Sequence, residues 1–319
     1  MPTGPDLLTV SALAKHFAGG GGISAVSFRV PAGSVTGFIG VNGAGKSTTL
    51  RCIMGLLRPD AGEITLFGVP TDLAARSRVG FLPEERGLFA HERARDAIAF
   101  HGRLKGMSRR GALAAADRLL ERVGLGARRH DRLAGLSKGN VQRVQILCAL
   151  VHEPDLLLLD EPLSGLDPIA QADMLSLLAE FRGRGGAVLF STHSMAAAET
   201  ICDRIVILSA GCTVFEGALA DAAALAPHGA VVVTADGVGL TAAAASLGGM
   251  AAPLTSGIGE AARWQVVLPR HITHPALVRA MAAHEVSFFA FEPIAPGLEG
   301  AFWHLAKNTV PRRAESRAA

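Results

Sequence analysis

The chain has 319 residues and a formal net charge of +3. That length supports a large core and two domains. The charge is too small to imply a nucleic-acid partner without a clustered basic patch; Arg109-Arg110, Arg128-Arg129 and Arg312-Arg313 are only short pairs, which read as solvated faces and a frayed tail.

The opening residues, Met1-Pro2-Thr3-Gly4-Pro5-Asp6, lack a basic stretch followed by an apolar one, so no signal peptide is expected. Residues 7–11 and 25–30 read as strands, with 19–22 as the turn between them. Phe17 stands just before that turn. On its chemistry alone it reads as a core or edge aromatic, with stacking on a base as the functional alternative. Residues 35–39 form an apolar run that reads as a buried strand, and 47–56 read as a helix. Between them Gly40-Val41-Asn42-Gly43-Ala44-Gly45-Lys46-Ser47-Thr48 fits G-x-x-x-x-G-K-[ST] in the strand-to-helix context of a phosphate-binding P-loop. The glycines let consecutive backbone N–H groups point into one concavity, and the helix N-terminus adds partial positive charge. Lys46 can reach the β- and γ-phosphates, and the Ser47 hydroxyl can ligate Mg²⁺. A chance glycine-rich turn is the competing reading, and the rest of the chain argues against it.

Residues 62–67 and 78–82 read as further strands, after which Pro83-Glu84-Glu85-Arg86-Gly87 breaks regularity. From 91 to 124 the chain turns helical. Ala94, Ala97, Ile98 and Leu104, then Ala112, Ala116, Leu119 and Leu120, recur near helical spacing, with a break at Gly106 and Ser108. Inserted between core strands, this segment should form a separate helical lobe at about 90–135. Leu136-Ser137-Lys138-Gly139-Asn140 opens a helix to about Val151; alone it is an ordinary polar helix start. The four leucines Leu156 to Leu159, bounded by charge and proline, make a strand buried on both faces that ends in Asp160 and Glu161. An acidic turn is common there, yet a carboxylate at the end of a strand beside a P-loop is where Mg²⁺ is held in P-loop enzymes. Ser164-Gly165-Leu166-Asp167-Pro168 turns into another helix. Residues 187–191 form a strand ending at Thr192-His193-Ser194, where a lone histidine would ordinarily be structural. Residues 204–209 and 213–216 are the last strands of this unit.

Past Ala220 alanine and glycine dominate and no phosphate motif recurs. The pattern is strand 230–234, helix 240–247, strand 264–268, helix 275–283, strand 286–291 and helix 298–305, with Leu298, Phe302 and Leu305 on one helical face. This βαβαβα order predicts a small α+β domain at 227–310 and a disordered tail at 311–319. Residues 237–259 carry no charge, but they are rich in Gly, Ala, Ser and Thr and contain Pro253, so no membrane helix is expected and any membrane role must come through a partner. Cys52, Cys148, Cys202 and Cys212 have no metal or redox spacing and read as small buried hydrophobes of a reducing compartment. His271, His274 and His284 have no cysteine nearby and only Glu285 as a close carboxylate, and they read as solvated rather than metal-binding.

Taken in order, these motifs resemble the ATP-binding subunit of an ABC transporter over about residues 7–216. Phe17 matches the adenine-stacking aromatic, Gly40 to Thr48 the P-loop, Leu136 to Asn140 the signature, Leu156 to Glu161 the Walker B strand with its glutamate, Ser164 to Asp167 the D-loop and His193 the switch histidine. Leu82-Pro83-Glu84-Glu85-Arg86-Gly87-Leu88, with Lys138 in the signature, is similar to the branch serving multidrug, antibiotic and sodium efflux; so is an accessory domain ending in Pro296-Gly297-Leu298-Glu299-Gly300-Ala301-Phe302.

The resemblance implies an α/β P-loop cassette spanning 1–226 with an inserted helical lobe, followed by the small α+β domain. It implies hydrolysis of ATP to ADP and phosphate, by positioning and charge stabilisation. Lys46 and the loop N–H groups of Asn42, Gly43, Ala44, Gly45, Ser47 and Thr48 would hold the phosphates, and Ser47 and Asp160 the Mg²⁺. Glu161 would act as general base, and His193 would contact the γ-phosphate. Ser137, Gly139 and Asp167 would complete the site of a second ATP-binding subunit in a head-to-tail dimer. A separate membrane permease would bind near 84–103, holding the chain peripherally at the cytoplasmic face of the membrane. Three departures stand out. Val41 replaces a common proline where only backbone is needed. Glu84 replaces a glutamine and puts charge beside the metal and the attacking water. Lys138 and Asn140 alter the signature but leave Ser137 and Gly139 in place. The rival reading, a soluble ABC ATPase of translation or DNA repair, calls for two cassettes or a long heptad insertion. This chain has one cassette and only a short interval from Glu84 to Leu136.

Overall fold

Asp6–His16 (β1) and Gly22–Pro31 (β2) pair antiparallel, with register shifts that carry the ladder beyond the two apolar runs. The turn between them is closed by hydrogen bonds from Gly20 N–H to the Phe17 carbonyl at 2.9 Å and from Phe17 N–H to the Gly21 carbonyl at 3.4 Å. The computed structural model describes residues 4–85, 87–226, 228–254, 262–294 and 297–308. The expected tail at 311–319, with Arg312-Arg313, lies outside the described residues, as do Met1-Pro2-Thr3, Arg86 and Pro296.

Val35–Ile39 (β3) is buried at every position and feeds Lys46–Ile53 (α1). That helix stops short of the expected residue 56 because Gly55 takes a left-handed φ of 70°. Ala61–Leu66 (β4) pairs with the two-residue Val69–Pro70 (β5), and Leu73–Ser77 (α2) follows, N-capped by the Asp72 side chain. β5 and α2 were too short to leave a periodic signal. Val79–Leu82 (β6) then leads to the lobe helices Ala94–Leu104 (α3) and Arg109–Arg122 (α4). They part at Gly106, φ 92°, with Ser108 capping α4. The Lys105 ammonium donates to the carbonyls of Arg76 and Val79, both at 2.9 Å, and so ties the end of α3 to the start of β6. Burial lowers its pKa. Lys138–Leu150 (α5), Leu156–Asp160 (β7), Pro168–Gly183 (α6), Ala187–Thr192 (β8), Met195–Ile201 (α7), Arg204–Ser209 (β9) and Cys212–Ala218 (β10) complete this part.

The ten strands form one sheet in the order β5-β4-β1-β2-β10-β9-β3-β8-β7-β6. From β9 to β6 every pairing is parallel. The strands β3, β7 and β8 are buried throughout, as a sheet covered on both faces requires. β10 runs antiparallel to β9 and meets β2 through one parallel pairing, Cys212 with Ala25. The core spans both halves: Phe28 of β2 and Phe38 of β3 have ring centroids 5.0 Å apart. In the parallel half, the carboxyl ends of β3, β7 and β8 converge. Gly40, Asp160-Glu161 and His193 sit there, where open α/β sheets gather ligand-binding groups.

The chain divides into two compact units, the first ending at Leu219 and the second Ala220–Asn308. After Leu219–Ala224 (α8) come His228–Thr234 (β11), Gly237–Ser246 (α9), Met250–Pro253 (β12), Ala262–Leu268 (β13), His274–Ala283 (α10), Ala290–Ile294 (β14) and Leu298–Asn308 (α11). The sheet order is β12-β13-β11-β14 and every pairing is antiparallel, which is the split βαβ topology. Two expectations need correcting. β12 was not foreseen, since Met-Ala-Ala-Pro has no strand signature. The strand expected at 286–291 begins only at Ala290. Glu285 is left-handed at φ 55°, and the Val286 N–H donates to the Met281 carbonyl, so this stretch closes α10. Among the described residues no helix is long and apolar enough to cross a membrane.

Candidate nucleotide site

The end of β3 and the start of α1 frame a cleft of about 390 Å³. Its lining includes Val41 to Thr48, Glu84, Asp160 and Glu161. Two glycines make the loop possible. A Cβ on Gly40 would lie 2.9 Å from both the Leu208 carbonyl oxygen and the Ala44 Cβ. Gly45, the N-cap of α1, holds φ at 104°, and a Cβ there would come 2.3 Å from Ile23. The loop's unpaired N–H groups and the start of α1 therefore face one concavity.

Lys46 is only 7% exposed. Its ammonium donates to the Gly40 carbonyl at 2.6 Å and lies 3.9 Å from Glu161 Oε1. Its charge is thereby held inside the cleft. Across from it, Asp160 is 3% exposed and accepts from the Ser191 hydroxyl at 2.6 Å. The next residue, Glu161, is left-handed at φ 48°, a costly conformation for a side chain of this kind. This bend turns its carboxylate out of the strand direction. Glu161 Oε2 then sits 2.9 Å from His193 Nδ1, which donates because a carboxylate can only accept. The Ser47 hydroxyl donates to Glu84 Oε2 at 3.4 Å.

The structure therefore brings Lys46, Ser47, Glu84, Asp160, Glu161 and His193 together around the loop. Phe17 is 43% exposed in its turn; Gly22, at the far end of that turn, reaches the cleft lining, whereas Phe17 does not. Ser137, Gly139 and Asp167 also lie outside that lining. Ser137 caps α5 by accepting from the Asn140 N–H, and Asp167 caps α6 by accepting from the Ala170 N–H. A Cβ on Gly139 would be 3.6 Å from Leu166, so the start of α5 abuts the Ser164–Asp167 turn. Ser191 is the residue that sequence reasoning missed. It sits across from Asp160 in the β7–β8 register, a signal readable only once those strands are known to be neighbours. In the second unit His274 is half-buried rather than solvated. Its Nε2 meets the Gly229 carbonyl at 2.7 Å, and its ring lies 4.9 Å from that of His228.

A P-loop between a buried parallel strand and a helix, with a buried lysine facing carboxylates at the end of a nearby strand, defines a P-loop nucleotide hydrolase. A family model described as ABC transporter matches residues 23–164. The ABC transporter ATP-binding protein YhaQ of Bacillus subtilis is 37% identical over 213 residues, covering 67% of this chain and 72% of the relative. A Nod factor export ATP-binding protein I of Burkholderia lata is 40% identical over 199 residues, covering 61% of this chain and 66% of that protein. A solved structure of the ATP-binding subunit of an ABC transporter is 34% identical, with a TM-score of 0.62, over 68% of this chain and 91% of that one. The chain belongs to the ABC transporter family as an ATP-binding subunit, the part that hydrolyses ATP to power transport.

Proposed function

We propose that this subunit drives export through a separate membrane permease, and that two ATP-binding subunits sandwich ATP between them. The observation that carries the catalytic reading is the Glu161 carboxylate, held between Lys46 at 3.9 Å and His193 at 2.9 Å at the P-loop cleft. The loop N–H groups and Lys46 bind the β- and γ-phosphates. Glu161 takes the proton of the attacking water, and His193 contacts the γ-phosphate. Phe17 stacks on the base.

The donor set suits Mg²⁺. Ser47, Asp160 and Glu84 offer hard oxygen atoms. Among the described residues no group of three or more His, Cys, Asp or Glu could hold a metal ion. Ser47 and Asp160 would hold Mg²⁺ with Glu84 alongside, and it would neutralise charge on the phosphates.

Ser137, Gly139 and Asp167 lie outside the cleft of their own chain, which supports their use by a second ATP-binding subunit. The export direction rests on the likeness to Nod factor export ATP-binding protein I. Permease docking at 84–103 places the chain peripherally on the cytoplasmic face of the membrane. The second unit, with its own core and no phosphate loop, serves dimer contact or regulation.

The test is phosphate release from Mg²⁺-ATP by the full chain over a dilution series. A two-chain site predicts that turnover per subunit falls on dilution, as mass action separates the pair. Turnover that is constant over about a 100-fold dilution would remove the two-chain reading.

A further inference from the structure

The hydroxyl of Ser191 is fully buried on β8 and joins two groups that the hydrolytic reading depends on. It donates to Asp160 Oδ1 at 2.6 Å and accepts from the Glu161 N–H at 2.9 Å. The direction of its proton is forced. An ionised carboxylate can only accept and an amide N–H can only donate, so one hydroxyl between them has a single arrangement. The contact to Asp160 is short and charge-assisted. Ser191 is fully buried, so losing its hydroxyl leaves the Glu161 N–H without that acceptor and one Asp160 oxygen without that donor, and both bonds are costly to lose.

We infer that Ser191 is a positioning residue of the hydrolysis site: its hydroxyl fixes the Asp160 carboxylate and the left-handed backbone of Glu161 as one unit. Three observations support it. Asp160 has one carboxylate oxygen committed to Ser191, which sets the rotamer and leaves the other oxygen for a metal or its water. Glu161 occupies a conformation that surrounding contacts must hold, and its amide is anchored only two residues from His193 along β8 and the turn after it. Ser191 and Asp160 are direct register partners, so neither can shift without disturbing the β7–β8 ladder. The strand end that delivers His193 to Glu161 thus also sets the backbone from which Glu161 projects.

This inference rests on the catalytic reading of Asp160 and Glu161 given above, and the test separates the two. Ser191→Ala removes both bonds, whereas Ser191→Thr keeps the hydroxyl. In the full chain, Ser191→Ala should lower kcat by roughly 10- to 100-fold, the effect of losing a buried hydrogen bond to a charged group. The Mg²⁺ concentration that half-saturates its nucleotide binding should rise about 10-fold, as for loss of an outer-shell partner of a metal ligand. Affinity for ADP in EDTA, which reports the P-loop alone, should stay within about twofold. Ser191→Thr should recover most of both losses. Mg²⁺ dependence unchanged in Ser191→Ala, or ADP affinity in EDTA lost in parallel with kcat, would overturn the inference, since the second pattern is a general disturbance of the strand. If Ser191→Ala behaves like the native chain while Glu161→Gln is inactive, this inference alone fails. If Glu161→Gln is itself active, the catalytic reading fails first.

Discussion

Replacing Glu161 by glutamine isolates proton transfer from binding. The carboxamide has the volume of the carboxylate, and its oxygen can still accept from His193 Nδ1, now 2.9 Å from Oε2. The backbone keeps φ near 48° because the N–H bond to Ser191 is untouched. What changes is the charge and the ability to take a proton. A general base of this kind contributes about 10²- to 10⁴-fold, so phosphate release should fall by at least about 10²-fold. Binding should move the other way. Lys46 and Glu161 are almost buried and 3.9 Å apart. At an effective dielectric of about 20, two unit charges at that distance interact by about 4 kcal/mol. Neutralising Glu161 leaves the charge of Lys46 to the phosphates, so ATP affinity should hold or tighten, and an ATP-bound dimer should accumulate. Steady-state phosphate release and nucleotide titration measure the two separately. Release within about threefold of the native rate would refute Glu161 as the base, because it is far below any general-base effect. A large loss of ATP affinity would make Glu161 a binding residue instead.

Phe17→Ala should weaken ATP binding by about 1 kcal/mol, roughly fivefold, with turnover at saturation unchanged; calorimetric titration showing native affinity would return Phe17 to a packing role in its turn. His152 is pushed from 6.5 down to about 4, first by burial and then by the charge of Lys105. Its neutral form therefore contributes stability that is full above pH 6.5 and is lost as pH falls towards 4. The melting temperature of the native chain should fall over that range, and that of His152→Gln should fall less; parallel curves would remove His152 from the acid transition. Phe89 is 64% exposed, with the ring of His91 at 5.8 Å. Phe89→Asp should abolish permease association in pull-downs from membranes while ATP binding by the isolated subunit persists; association that survives, or ATP binding lost with it, would move the docking site elsewhere.

The P-loop was legible because its geometry is local. Glycine spacing alone determines where consecutive N–H groups can point, and the clash that a Cβ on Gly40 would make with the Leu208 carbonyl is the physical form of that requirement. The buried strands were legible for a similar reason, since the four leucines at 156–159 and the mainly apolar stretch at 35–39 have no charged face to offer to solvent. Ser191 was not. Its partner Asp160 is 31 residues away, and they meet only because β7 and β8 are neighbours. The left-handed turn at Glu161 was equally hidden, because glutamate carries no preference for positive φ and the conformation is imposed by tertiary contacts. Lys105 belongs to no sequence motif, and its carbonyl partners on Arg76 and Val79 are again non-local.

The second unit shows where periodicity misleads. The βαβαβα reading counted apolar runs, and Val286 is apolar because it is buried against the end of α10 with its N–H bonded to Met281, not because it lies in a strand. The true edge strand starts at Ala290, where pairing with Val233 fixes the register. On the other edge β12 pairs residue by residue with Val267 to Trp264, although its own composition is poor for a strand. Its register is set by its neighbour β13, whose Val266 and Leu268 face the core with Ala230 and Val232. An edge strand of small residues can be recruited in this way because the backbone ladder, not the side chains, supplies its pairing. The antiparallel order β12-β13-β11-β14 then follows, with the phosphate-binding loop confined to the other unit.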